Sequence, residues 1–285
     1  METQALALLL MSWSVKVLIF GLGLNVRFRE LFHLWAHPAK LVKAFLAMFV
    51  LVPLVALAIG YYLPVSPTVH LLLLVLTICA GAPALPNKLM KAGGDQAYVY
   101  SLLVNASLIS ILIIPFAASY IGQWWAKESD EVITTAMVGQ TVALSFVLPL
   151  CLGILVQYWF PAVADRLSEP IISMFGTILL VLALIMMVFV FPKLAALKTI
   201  DFVAIALFAL ISLAVGFALG GPGLDDRFSL ALSSAVRHVG LSLIITLQYF
   251  PKSQLLPALL AYLLVVQLVV AAFSYWYKRR YRVQG

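Results

Sequence analysis

Charge is scarce in this chain. Asp, Glu, Lys and Arg make up 10% of its 285 residues, where soluble globular proteins carry about 25%. The acids that are present stay out of the long apolar runs. Glu2, Glu30, Asp95, Glu128, Asp130, Glu131, Asp165, Glu169, Asp201, Asp225 and Asp226 all fall at expected helix ends or in loops. With no carboxylate expected at membrane depth, a carboxylate proton relay or a carboxylate sodium cage is hard to build. Cysteine is sparse too. Cys79 and Cys151 both lie in apolar segments, where a free thiol behaves as a small hydrophobe, so no disulfide framework is expected. Nucleotide-binding loops, nucleophile elbows and metalloprotease helices are missing as well, and the chain does not read as an enzyme.

What is abundant is apolar surface, with 64% of the residues hydrophobic. That composition specifies a polytopic membrane protein. A hydrocarbon core takes about 20 apolar residues per helix. Nine segments qualify: 5–25, 41–63, 68–91, 96–120, 134–160, 170–191, 201–220, 228–249 and 255–277. The first lacks a basic start and a small-residue cleavage site, so it reads as a membrane helix rather than a signal peptide. The net charge of +7 reads as basic cytoplasmic loops rather than a nucleic-acid surface. Twelve cations lie after segments 1, 3, 5 and 7 and in the C-terminal tail: Arg27, Arg29, Lys40, Lys43, Lys88, Lys91, Arg166, Arg227, Lys278, Arg279, Arg280 and Arg282. Four lie on the other side: Lys127, Lys193, Lys198 and Lys252. By the positive-inside rule the N-terminus is outside and the C-terminus cytoplasmic, in the cell membrane.

Two cations remain, Lys16 and Arg237. Arg237–His238 sits near the middle of the eighth segment. An arginine there costs roughly 2.5–3.5 kcal/mol on insertion scales, so it faces a protein interior, a cavity or an anion. Gly240 follows and small residues surround the pair, so an interruption of the helix is expected there. The third segment reads Gly81-Ala82-Pro83-Ala84-Leu85-Pro86-Asn87, and two prolines three residues apart remove backbone donors and disfavour helix before each. Breaks at Gly81, Pro83, Pro86 and Gly240 fall in the third segment of each half, if helices 1–4 and 6–9 form two inverted repeats. Matched breaks of this kind point to a transporter site at the repeat interface. The expected layout is one transmembrane domain, 1–285. The first repeat spans 5–120, a linking helix spans 134–160, and the second repeat spans 170–285, with the two discontinuous helices crossing near the midplane.

The candidate substrate-binding residues are Arg237, His238, Asn87, Lys16, Ser233, Ser234 and Asn105. Ser233, Ser234 and Asn105 also suit hydrogen bonding between helices. His33 and His37, at i,i+4 spacing with Glu30 nearby, sit with Trp35 before Pro38 and read as an interfacial segment rather than a metal site. No metal is expected.

Several stretches resemble the bile acid:sodium symporter family, part of the bile/arsenite/riboflavin transporter superfamily. Phe20-Gly21-Leu22-Gly23-Leu24 ends the first helix, and His37-Pro38-Ala39-Lys40 opens the second, with Pro53 inside it. Cys79-Ala80-Gly81-Ala82 is similar to the family's C-P-G-G opening of its first broken helix, with Gly94-Asp95 after it. Ser234 to Leu241 is similar to the E-x-G-x-Q-N-S-G-L second broken helix, and Tyr275-Trp276 to the end of the last helix. The resemblance implies a divergent secondary transporter of a small organic anion, working by alternating access, with membrane lipids its other partners and no nucleic acid. It also implies altered sodium sites. Leu85-Pro86 (or Pro86-Asn87) stand where the family has Ser-Asn. Val99 and Leu103 stand where it has hydroxyls, Ser233 for its acid, Arg237 for its glutamine and Val265-Val266 for its His-Asn. No cofactor is expected; sodium, possible by resemblance, has its ligands replaced, so its coupling is weakened or absent. A metalloid-oxyanion permease, for which Cys79 is the one candidate thiol, and a non-transporting sensor of the same fold are the alternatives.

Overall fold

The computed structural model describes residues 2–26, 32–80, Leu85, Leu89, 95–125, 133–250 and 255–281. The described chain is all-helical. In order, it forms α1 (Glu2–Leu24), α2 (Pro38–Tyr62), α3 (Pro67–Ile78), α4 (Gln96–Trp125), α5 (Thr135–Trp159), α6 (Pro161–Ala195), α7 (Thr199–Leu219), α8 (Leu224–Ala235), α9 (Val239–Tyr249) and α10 (Leu255–Tyr281). Among the described residues, eight stretches are long and apolar enough to cross a membrane, with α8 and α9 counted as one, and α3 adds a shorter apolar helix. The protein is a multi-pass α-helical membrane protein.

Local chemistry sets the helix starts. Pro38, Pro67 and Pro161 each occupy a first helical turn, where a missing N–H is harmless. Ser66 and Thr134 cap α3 and α5 by accepting from Val69 N and Met137 N at 3.4 and 3.3 Å. α6 corrects the expected span 170–191, because it begins nine residues earlier, at Pro161, and runs through Pro170. Its first turns carry Asp165, Arg166 and Glu169, which hid a continuous helix from a search for apolar runs.

Packing then sorts the helices by depth. α8 is buried from Phe228 to Ala235, and 83% of the apolar window across α8–α9 is buried, against 17% in α6. The interrupted eighth span is therefore the central element, and α6 lies at the periphery. α1 runs along α5 and α6. A Cβ at Gly23 would lie 3.0 Å from Gly153 Cα and 3.0 Å from Ile154 N, so the glycine pair lets the α1 and α5 backbones touch. α7 and α10 flank α8, α2 and α4 also meet it, and α3 packs against α9.

One carboxylate ties the bundle together at the α2–α3 turn. Asp201 is 0% exposed and accepts from Ser66 N at 2.7 Å and Lys198 N at 3.1 Å. It caps α7 and holds the start of α3 at once.

Candidate site: two helix breaks that meet

α3 ends at Ile78, and Cys79 leaves helical geometry with φ −98° and ψ 75°. The eighth span breaks at Val236–Arg237–His238, between α8 and α9. The two breaks touch, because His238 N–H donates to Cys79 O at 2.8 Å. Unpaired backbone groups are very costly where no water can reach them. Every N–H through the second break has a partner, each from a different source. Val236 N–H donates to Leu232 O of α8 at 2.8 Å, and Val239 N–H to Arg237 O at 2.9 Å. Arg237 N–H donates to the Tyr262 hydroxyl of α10 at 3.2 Å, and that hydroxyl donates to Ala235 O at 2.7 Å. Tyr262 thus bridges the last residue of α8 and the first charged residue of the break.

His238 is the N-cap of α9. Its Nδ1 accepts from Leu241 N at 3.0 Å, so the neutral ring carries its proton on Nε2, which has no acceptor among the described residues. The ring meets the Phe146 ring edge-on at 5.5 Å between centroids.

Arg237 is 1% exposed. Its Nη2 donates to Met48 O of α2 at 3.0 Å, while Nε and Nη1 have no hydrogen-bond partner, and no carboxylate pairs with it among the described residues. Ser233 and Ser234, one turn back on α8, are 0% exposed, and their hydroxyls likewise have no partner among the described residues. A buried cation with free donors beside buried hydroxyls has the chemistry to receive an anion. Two of the neighbours outside α8–α10 come from π-helical stretches, Leu46–Leu51 of α2 for Met48 and Ala143–Val147 of α5 for Phe146. Such widened turns frequently border functional sites.

Other expected site residues go elsewhere. Lys16 is half-buried, and its Nζ lies 4.9 Å from the centroid of the Trp13 ring, itself 58% exposed. The Lys16 charge is therefore carried to the outer face of α1 rather than to the break. Asn105 accepts from Trp35 Nε1 at 2.9 Å and donates to Ser101 O at 2.8 Å. Those bonds engage both ends of its amide in holding the turn before α2 against α4. Gly240 is not in the break but in the first turn of α9. A Cβ there would lie 2.6 Å from Val15 Cγ2, so its smallness serves the approach of α1. Asn87, Gly81, Pro83 and Pro86 lie outside the described residues. His37 Nδ1 pairs with His33 O at 2.9 Å, a turn contact of an exposed segment. No group of three or more His, Cys, Asp or Glu residues suited to a metal ion occurs among the described residues.

Sequence reasoning missed Tyr262, Met48, Phe146 and the Cys79 carbonyl. Tyr262 carried a signal, because a hydroxyl between Pro-Ala-Leu-Leu-Ala and Leu-Leu must find a partner when buried. The two carbonyls carried none, being main-chain atoms.

Four of the positions that the family resemblance assigned to sodium ligands are packed with hydrocarbon. Leu85, Val99, Leu103 and Val266 are 1%, 0%, 1% and 2% exposed and belong to one core cluster.

The chain is 26% identical over 174 residues to a sodium-dependent organic anion transporter of Rattus norvegicus, covering 59% of this chain and 45% of that protein. The corresponding Mus musculus protein is 26% identical over 179 residues (61% and 46%), and the Homo sapiens one 23% over 171 residues (59% and 44%). The matched stretch thus covers less than half the length of each relative. The model of the Sodium Bile acid symporter family matches residues 13–218, from α1 to the end of α7, ahead of the break that carries Arg237. With most of its length matched in this way, the chain belongs to the Sodium Bile acid symporter family.

Proposed function

We propose that this chain is a secondary transporter that moves a small organic anion by alternating access, with Arg237 as the anion's counter-charge and sodium coupling weakened or absent. The observation that carries this is the Arg237 guanidinium, 1% exposed yet holding two nitrogens without a partner among the described residues, at the meeting of two helix breaks. A fixed cation there supplies the positive charge that a bound sodium ion would otherwise bring to the carbonyl-lined breaks. The hydrocarbon at Val99, Leu103 and Val266 supports the same reading. The layout behind it is two inverted repeats, 5–120 and 170–285, joined by the helix at 134–160. The N-terminus is outside and the C-terminal basic tail in the cytoplasm. The His238–Cys79 bond supports this layout, since it joins the third element of one half to the third element of the other.

The test is uptake into proteoliposomes of a panel of organic anions that includes a bile acid, in sodium and in choline medium. The expected result is uptake that persists in choline and is abolished by Arg237→Gln. A strict sodium requirement refutes the tethered-cation reading. Binding without flux favours the sensor, and selective flux of arsenite favours the oxyanion permease.

A further inference from the structure

α2 reaches Arg237 through a main-chain atom, and the sequence of α2 explains why that atom is free. In an α-helix, Val52 N–H would donate to Met48 O. Here it donates to Ala47 O, five residues back. The donor that would serve Met48 in the widened register is the N–H of residue 53. Residue 53 is proline and has none. The Met48 carbonyl therefore has no donor in its own helix in either register. Met48 is buried within a stretch long and apolar enough to cross a membrane, where an unpaired carbonyl is strongly disfavoured, and the guanidinium of Arg237 fills the vacancy at 3.0 Å. Proline also drives the widening itself, because its ring clashes with the carbonyl four residues back, here Phe49. α5 repeats the arrangement. Leu148 N–H donates to Ala143 O, Pro149 follows, and the widened turn carries the Phe146 ring that meets His238.

We propose that Pro53 is a positioning residue for Arg237. By orphaning the Met48 carbonyl, it creates the acceptor that anchors one nitrogen of the guanidinium and so fixes the direction of the two nitrogens left for the anion. This deepens the anion-transport reading and rests on it for the role of those two nitrogens, but the anchor itself is testable without any anion. Replacing Pro53 with alanine restores a donor to the helix. Met48 O is then taken internally, and Arg237 turns to other carbonyls around the break.

The experiment has two arms. In the first, protein labelled with carbonyl-13C methionine is examined by infrared difference spectroscopy, with the Met48 band assigned in each variant against Met48→Leu. The expected result is that Arg237→Gln, and Arg237→Met as a second variant, shift this band to higher frequency, as a lost charge-assisted hydrogen bond requires. In a Pro53→Ala background the same substitutions leave it in place. A band unmoved by Arg237→Gln and Arg237→Met in the native background overturns the proposal. In the second arm, Pro53→Ala and the native protein are compared for bile-acid affinity and for melting temperature in detergent. The expected result is affinity lowered about tenfold, the scale of one charged hydrogen bond, with a melting temperature unchanged or raised, since a helix interior gains from losing proline. A proline that merely kinks α2 moves no anion affinity; unchanged or tighter affinity with the melting temperature retained overturns the proposal. If the band shifts as expected but the native protein binds none of the anions, the transport reading fails and the anchor stands.

Discussion

Removing the Tyr262 hydroxyl tests whether the second break is held by the bonds described here. Tyr262→Phe keeps the ring, which is 1% exposed and lies 6.5 Å from the Phe208 ring between centroids, so no cavity opens. Two backbone groups lose their partner together: the Ala235 carbonyl at 2.7 Å and the Arg237 N–H at 3.2 Å. Neither has a ready substitute. Ala235 O would ordinarily receive Val239 N–H, but that donor goes to Arg237 O. Each buried group left unsatisfied costs about 1–3 kcal/mol, so the substitution is expected to destabilise the protein by roughly 2–4 kcal/mol, taking the lower part of the doubled range. Interhelical hydrogen bonds in membranes average only about 0.6 kcal/mol, because the loosened state usually finds other partners. The two figures differ enough to decide. Equilibrium unfolding in mixed micelles measures the loss directly. A value near the membrane average would mean that the break relaxes to satisfy itself, and the account of four separately partnered N–H groups would be wrong.

Three further perturbations follow from the packing. Gly240→Ala brings a methyl to 2.6 Å from Val15 Cγ2; it is expected to lower the melting temperature, and adding Val15→Ala should recover part of the loss, a coupling that a double-mutant cycle reads directly. Asp201→Ala strips the partner from Ser66 N–H and Lys198 N–H and is expected to cost about 2–4 kcal/mol by the same reasoning, measurable by unfolding in detergent. Lys40→Ala removes an ion pair at 2.7 Å from Asp226, but with the lysine side chain 29% exposed the loss is expected to stay under about 1 kcal/mol and to shrink in high salt.

The membrane class was legible because apolar runs of helix length report burial in lipid directly. α7 and α10 fall close to their expected spans for that reason. α6 was misjudged because interfacial turns carry charge while remaining helical, so Asp165, Arg166 and Glu169 masked the start at Pro161. At the site, Arg237 was legible because a cation in an apolar helix is conspicuous. Its surroundings were not. Lys16 drew the same inference from the same signal, yet sits beside Trp13, since a sequence does not show which face of a helix a long side chain follows. Asn105 suited both a ligand and a hydrogen-bonding link, and its partner, Trp35, lies 70 residues away in the chain. The acceptor for Arg237 was hidden for a deeper reason: Met48 contributes its carbonyl, and nothing in its side chain announces that.

The bond joining the two breaks has an evolutionary consequence. His238 N–H to Cys79 O is a contact between groups that nearly every amino acid carries. Its information content is almost nil, and of the twenty residue types only proline at 238 would delete it. The crossing can therefore persist while the side chains around it are exchanged wholesale. Ion-binding chemistry and scaffold geometry are free to drift separately, so a lineage can lose its ligands without first losing its shape.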